Sequence, residues 1–246
     1  MYTVVAQREI PAPVSKVWAF ITQPDLLAMW FADITSFTPK EPFRFEFGDG
    51  DFFSGRIEEW DPQILLGMRW KFMDIGPTYE IRYSLLRRKE GTEISIQDRG
   101  ALTVEEAECL RVGWSEFLMR MAKAIQRDRI ARFNWRKAIT FTAHIGEEPV
   151  ELRAALRDPL WYKESFAGVK AEIFDGGEKE ILVGLTSDKW GDIPTSIRLV
   201  FKRIRDANYL FVAHEGWPDL SSKVAESERI RFADLWLKGL AKFSVK

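Results

Sequence analysis

Across residues 42–97 apolar side chains recur at every second position, and across 103–125 they recur at every third or fourth, so the chain passes from sheet to helix near Gly100. Phe43, Phe45 and Phe47 share one face of the first strand while Arg44 and Glu46 share the other. Gly48-Asp49-Gly50 then predicts a hairpin turn, because glycine accepts positive φ and aspartate bonds its own backbone. Further strands are expected through Trp60, over 65–72 with Leu66, Met68, Trp70 and Phe72 on one face, over 79–86, and over 93–97. Five strands joined by short turns make an antiparallel meander. Ahead of it, residues 3–10 alternate as a strand, and Val14, Val17, Trp18 and Ile21 mark a short helix that Pro24 stops. The stretch DLLAMWF predicts a second short helix. Behind the meander, Thr103 and Glu106 have capping-box spacing and open a helix to about Ile125. Its stripe is Ala107, Leu110, Trp114, Phe117, Leu118 and Met121.

The same order returns in the second half. Pro24 in FITQPDLLAMWF answers to Pro159 in ALRDPLWYKESF, 135 residues on; Asp98-Arg99-Gly100 answers to His214-Glu215-Gly216 at 116; Leu118 answers to Leu237 at 119. The difference between the first two spacings means that roughly 19 residues of the first copy have no counterpart in the second. Matching Gly55 to Gly184 and Arg82 to Arg198 places that gap at PQILLGMRWKFMDIG, so the second copy is expected to lack the strand bearing Trp70 or to replace it with the loop DKWGDIP. Its predicted elements are strands at 138–145, 169–174, 181–187, 196–204 and 209–214, a short helix at 149–156, and a final helix from Pro218 or Ser221 to about Phe243 with Ile230, Ala233, Leu237 and Leu240 inward. A repeat unit of this length is a domain with its own core. The expected domains are 1–128 and 129–246, joined through the basic segment 126–137, which reads as a solvated helix end.

Charge and composition narrow the classes of function. Lys and Arg total 36 against 37 Asp and Glu, so no global field attracts nucleic acid. No apolar run of about 18 residues predicts a membrane span, and MYTVVAQREIPAP does not read as a signal peptide. The single Cys109 fits a reducing compartment, and the cytoplasm is expected. With only His144 and His214, no metal or cofactor site is expected, and no phosphate loop, nucleophile triad or Cys/His cluster is present. GDGD at 48–51 lacks the oxygen donors of a hard-cation loop and reads as a hairpin. Ten Trp and eighteen Phe either fill two cores or line a concave apolar site. Asp98 shares the strand parity of Ile94 and Ile96 and should point inward. It is then a polar anchor or acid, with a raised pKa unless Arg99 or Arg56 compensates, or else a partner for the following helix N-terminus or an arginine at the strand end.

The wording of the first half is similar to a known family. The Val17-Trp18 helix, the Pro24 turn, Trp30-Phe31, Gly55 with Trp60, GTEISIQDRG and Gly113-Trp114 resemble the activator of heat-shock-protein-90 ATPase homologue family, within the START/SRPBCC superfamily. The likeness covers about residues 3–125. The second copy departs from it: Lys163-Glu164 stand near where Trp30-Phe31 would fall, and Ala233 stands where Trp114 would be. The resemblance implies an α+β protein of two tandem helix-grip domains, each a curved antiparallel sheet around a long C-terminal helix. A sheet that grips a helix leaves a cavity, here with Trp30, Phe31, Phe45, Phe47, Met68, Trp70, Tyr83, Asp98 and Trp114 as candidate ligand-binding residues. The function expected is a non-enzymatic binding protein for a small apolar or amphipathic molecule. The alternatives are an enzyme of polyketide cyclase or hydrolase type, which needs paired polar groups inside the cavity, and a co-chaperone-like module with a protein partner. Monomer and homo-oligomer both stay open, and a further hypothesis has the shorter second copy act as the first one's packing partner in place of a homodimer.

Overall fold

Strands form where the alternation places them. The computed structural model describes residues 1–246 except 128, 130–137, 147–149, 191–192, 221 and 246, so most of the expected connecting segment lies outside the described residues. The chain divides into two compact units. The first takes Met1–Phe47, Phe52–Lys71 and Thr78–Asn134, and the second takes Gly48–Asp51, Phe72–Pro77 and Trp135–Lys246.

The first unit runs β1 (Tyr2–Ile10), α1 (Val14–Thr22), α2 (Pro24–Ala28), β2 (Pro42–Glu46), β3 (Phe52–Asp61), β4 (Leu65–Phe72), β5 (Thr78–Arg88), β6 (Gly91–Ala101) and α3 (Val104–Arg127). The sheet order is β1-β6-β5-β4-β3-β2. Tyr79, Ile81, Tyr83 and Leu85 of β5 and Thr92, Ile94, Ile96 and Asp98 of β6 are buried, as a period of two requires. The opposite face carries a ladder of alternating charge across four strands, Glu58 to Arg69 (3.2 Å), Arg69 to Glu80 (3.0 Å) and Glu80 to Arg99 (3.6 Å). Each exposed pair is worth at most about 1 kcal/mol. The alternation still disfavours any register in which like charges would face one another.

Helix α3 opens as its spacing predicts. The Glu106 amide donates to Thr103 Oγ1 (3.1 Å), and the Glu106 carboxylate reaches back to the Leu102 amide (2.8 Å), one residue earlier than in the usual reciprocal box. Trp114, Leu118 and Met121 are buried, whereas Ala107, Leu110 and Phe117 are only partly so. The helix packs chiefly on β1, with β6 beside it. The Lys16 ammonium of α1 donates to the Ile125 carbonyl near its C-terminal end, where the helix dipole favours a cation.

The second unit runs β7 (Ile139–Ile145), α4 (Val150–Leu156), α5 (Pro159–Ser165), β8 (Lys170–Asp175), β9 (Glu180–Thr186), β10 (Thr195–Ile204), β11 (Ala207–Glu215), a 3-10 turn (Trp217–Asp219) and α6 (Ser222–Leu240). Its sheet has five strands in the order β7-β11-β10-β9-β8, against six in the first. One strand is therefore missing, but it is not the one bearing Trp70. Losing an interior strand from an antiparallel sheet would bring two parallel strands together, and β9 pairs with β10 antiparallel. The strand without a counterpart is the edge strand β2. In α6 the buried apolar residues are Phe232, Ala233, Trp236 and Leu240, while Ile230, expected inward, is 40% exposed. The stripe is rotated because two large aromatic rings and Arg229 take the inner face. Arg229 is itself buried, donating to Asp51 Oδ2 at 2.9 Å, to the Asp49 carbonyl and to the Ala138 carbonyl. The turn 48–51 thus sends its carboxylates to a guanidinium, and the Asp51 amide donates to Asp49 Oδ1 (3.1 Å) as the hairpin reading expects.

A β-carbon at Gly55 would lie 2.0 Å from the Arg69 carbonyl oxygen and 2.8 Å from the Trp70 α-carbon, both backbone atoms of β4. Gly55→Ala should therefore lower the stability of the first unit by about 1–3 kcal/mol or more in urea denaturation. A wild-type midpoint would show that β3 and β4 are not packed this closely.

Candidate functional site

All nine candidate residues are buried. They come from four kinds of element. Phe45, Met68, Trp70, Tyr83 and Asp98 sit on strands, Trp114 on α3, Phe47 at the end of β2, and Trp30 and Phe31 on the turn that follows α2. Trp30 is fixed by its indole N–H, which donates to the Phe20 carbonyl at the end of α1 (2.9 Å). That bond places Phe31 at the centre of the cluster. Its ring lies within 5.0–6.2 Å of those of Trp30, Phe45, Phe47, Trp70, Trp114 and Phe117. Phe31, Trp70 and Trp114 are nearly parallel, with interplanar angles of 7–14° and centroids about 6 Å apart. These are contact distances. The rings thus pack on one another where the sequence reading expects a lined cavity. Sequence reasoning leaves two rings out of the site: Phe53, tilted against Trp70 at 4.6 Å, and Phe117. The pairing of Phe53 with Phe45 across β2 and β3 puts both on one face.

Asp98 is 2% exposed and points inward, as its parity predicts. Its partner is neither an arginine nor a helix N-terminus. Oδ2 accepts a hydrogen bond from Trp114 Nε1 at 2.7 Å, while Oδ1 is buried with no hydrogen-bond partner. Arg99 turns outward to Glu80, and Arg56 is exposed. Burial pushes the Asp98 carboxyl up to about 7, the Glu106 charge adds to the rise, and the Trp114 bond opposes it. Tyr83, fully inside beside Trp114 (6.0 Å, edge-on), is held in its neutral phenol form by burial and by the nearby Asp98 charge. Glu106 is already engaged by the Tyr79 hydroxyl and the Leu102 amide. Asp98 is thus a carboxyl poised between protonation states near neutral pH, with one oxygen open.

The second unit repeats the plan with different chemistry. Trp236 Nε1 donates to His214 Nδ1 (3.2 Å), as Trp114 does to Asp98. An indole is only a donor, so His214 carries its proton on Nε2 and gives it to Thr195 Oγ1 (2.9 Å). Trp236, not Ala233, therefore plays the part of Trp114. Phe166 plays that of Phe31, within 4.9–5.5 Å of Trp161, Phe232 and Trp236. Lys163 and Glu164 do not occupy that place. His214 is fully buried and satisfied, and burial together with the Arg229 charge holds its pKa well below the ordinary value.

An open groove of about 670 Å³ also lies in the second unit, lined by Arg153, Arg157, Phe174 and the turn at Gly176–Glu180 among others. The Arg153 and Arg157 guanidinium groups donate to the Glu178 and Gly177 carbonyls. Cys109 is exposed on α3. Among the described residues, no group of His, Cys, Asp and Glu is placed to hold a metal, and no helix is long and apolar enough to cross a membrane.

Two antiparallel sheets, each preceded by short helices after its first strand and followed by a long helix, define two tandem helix-grip domains, the second one strand shorter. Residues 11–126 match the family model Activator of Hsp90 ATPase homolog 1-like protein. The crystal structure of DynU16, a protein in the dynemicin biosynthetic locus, aligns over 97% of this chain and 96% of its own with a TM-score of 0.86 at 24% identity, which is a likeness of fold. MLL2253 from Mesorhizobium loti aligns over 51% of this chain and 98% of its own, with a TM-score of 0.48 and 20% identity. The Aha1 dimer from Colwellia psychrerythraea aligns over 51% and 96%, with a TM-score of 0.43 and 20% identity. No curated protein matches the sequence.

Two outcomes follow from the buried pair of titratable groups. The folded chain keeps the Asp98 proton up to about pH 7, whereas the unfolded chain releases it near the ordinary 3.8, so the folded state binds more protons between those values and stability falls as pH rises through them. Asp98→Asn removes that loss and keeps an acceptor for Trp114. Relative to wild type, the variant should gain about 2–3 kcal/mol in urea denaturation between pH 5 and pH 8; parallel pH profiles would refute it. For His214 the sign is opposite. The unfolded imidazole takes up a proton below pH 6.5 and the folded one does not, so the second unit loses stability as pH drops below that value. Nitrogen-15 NMR should show His214 still neutral at pH 5.5 as the Nε2–H tautomer, and an imidazolium signal there would contradict the assignment.

Proposed function

We propose that the first domain is a receptor for a small apolar molecule bearing one hydrogen-bonding group, which Asp98 holds. The observation that carries this reading is Asp98 Oδ1, a polar atom inside an aromatic cluster with nothing to bond. A buried polar atom without a partner costs about 1–3 kcal/mol, and a guest that supplies the partner recovers it. Phe31 is the ring that gives way. It stands on the turn after α2, whereas Trp70 and Trp114 are anchored on a strand and a long helix. Its withdrawal would leave a slot between aromatic faces, with Asp98 and Tyr83 at one end. Binding is the reading taken because Asp98 Oδ1 is the polar atom left without a partner, Glu106 being engaged by the Tyr79 hydroxyl and the Leu102 amide.

Titration of the full chain with 1-naphthol, followed by calorimetry and tryptophan fluorescence, tests the reading. Saturable one-site binding is expected, at least about tenfold tighter than for naphthalene, with the difference lost in Asp98→Ala. No saturable binding up to the solubility limit, or an unchanged preference in the variant, would overturn it.

A further inference from the structure

The receptor reading leaves the charge of the guest open, and the surroundings of Asp98 decide it. Three carboxylates are buried among the described residues: Asp51, Asp98 and Glu228. Asp51 meets the Arg229 guanidinium at 2.9 Å, and Glu228 meets Arg231 within the same helix. Asp98 alone of the three has no cation. A buried carboxylate without a counter-charge is costly, and the usual remedy is an ion pair that also satisfies the free lone pairs.

Among the described residues, no cation acts on Asp98 to supply that charge. The other ionisable groups near Asp98 are Glu106, which acts on it as a like charge, and Tyr83, whose phenol is neutral. The remaining walls are the rings of Phe31, Trp70 and Trp114, with Tyr83 edge-on to Trp114. Trp114 meets Asp98 through its indole N–H edge and satisfies one oxygen only. A buried carboxylate with one oxygen unpartnered and no cation beside it is complementary to a protonated amine.

Resting on the receptor reading, the geometry points to a ligand that is a primary or secondary organic ammonium with an apolar body, its N–H donating to Asp98 Oδ1 and its carbon skeleton lying against Trp70 and Trp114. The need for an N–H excludes a quaternary ammonium, which offers Oδ1 no donor. It equally excludes a carboxylate ligand, which would meet both Asp98 and Glu106 with like charge. A hard metal cation would need several more oxygen donors than the pocket holds. A neutral alcohol satisfies the hydrogen bond and leaves the charge unmatched.

The test compares 1-naphthylmethylamine with 1-naphthylmethanol, its neutral counterpart of nearly equal size, by calorimetry on the full chain at pH 7.5, with 1-naphthoate as the anionic control. The amine should bind at least about tenfold more tightly than the alcohol, and the naphthoate more weakly than either, in line with hydrogen bonds to charged groups. In Asp98→Asn, which keeps an acceptor for Trp114 Nε1, the preference for the amine should fall to about unity while the alcohol still binds. If the alcohol binds as well as the amine in the wild-type chain, the ammonium inference fails and the receptor reading stands. If none of the three binds, the receptor reading itself fails. Should Asp98→Asn not fold by circular dichroism, the amine-to-alcohol ratio in the wild-type chain decides alone.

Discussion

One bond sets the terms for the interior of each unit: an indole N–H on the long helix donating to a polar side chain near the end of the last strand. In the first unit it joins Trp114 of α3 to Asp98 of β6, and in the second Trp236 of α6 to His214 of β11. Apolar contacts between a helix and a sheet are not directional, and the penalty for a shifted helix comes from voids and overlaps rather than from any one contact. A buried hydrogen bond between a strand end and a helix face has a narrow range of length and angle. Breaking it strands two polar groups in an apolar interior. The bond therefore fixes which helix face turns inward, and the aromatic rings around it follow.

What differs between the units is the arithmetic of lone pairs. His214 has two ring nitrogens and both are used, one accepting from Trp236 and the other donating to Thr195. That core is closed: the residue at its centre has nothing left to offer a guest. Asp98 has two oxygens and its tryptophan uses one. The same scaffold is thus complete in one unit and one partner short in the other. For the proposed receptor, the contrast favours the first domain more than aromatic content does, since both cores are rich in Trp and Phe.

Much of this was legible in the residues, and the misses have physical causes. Strand β4 falls where its alternation puts it, and Asp98 points inward because parity is a local property of a strand. The partner of Asp98 was not legible. An arginine next door is the natural counter-charge by sequence, but adjacent strand residues face opposite ways, and only the docking of α3 brings Trp114 there. The missing strand was misplaced for a related reason. Matching glycines and arginines by offset ignores strand direction, and direction requires an antiparallel sheet that loses one strand to lose it from an edge. Pairing Leu118 with Leu237 sets the two helices three residues out of step with the indoles of Trp114 and Trp236, which hides their equivalence. Phe166 stands at the same 135-residue spacing from Phe31 as Pro159 does from Pro24, so that equivalence was in the sequence and was passed over.

An open carboxylate oxygen in a core this dense bears on how the domain works. Phe31 touches six rings, so it is both the ring that most stabilises the closed cluster and the one whose movement changes it most. Its backbone lies on a turn, outside the hydrogen-bonded ladder that holds Phe45 and Trp70 and the helix that holds Trp114. Turning the Phe31 side chain out gives up aromatic contacts and leaves its backbone N–H on the Leu27 carbonyl (2.8 Å), whereas turning Trp114 out also breaks the bond to Asp98. A guest that replaces those contacts with its own apolar surface and gives Asp98 Oδ1 a donor leaves the domain with more bonds satisfied than before. On the proposed receptor reading, the unpaired oxygen gives the guest a bond that offsets the aromatic contacts Phe31 gives up.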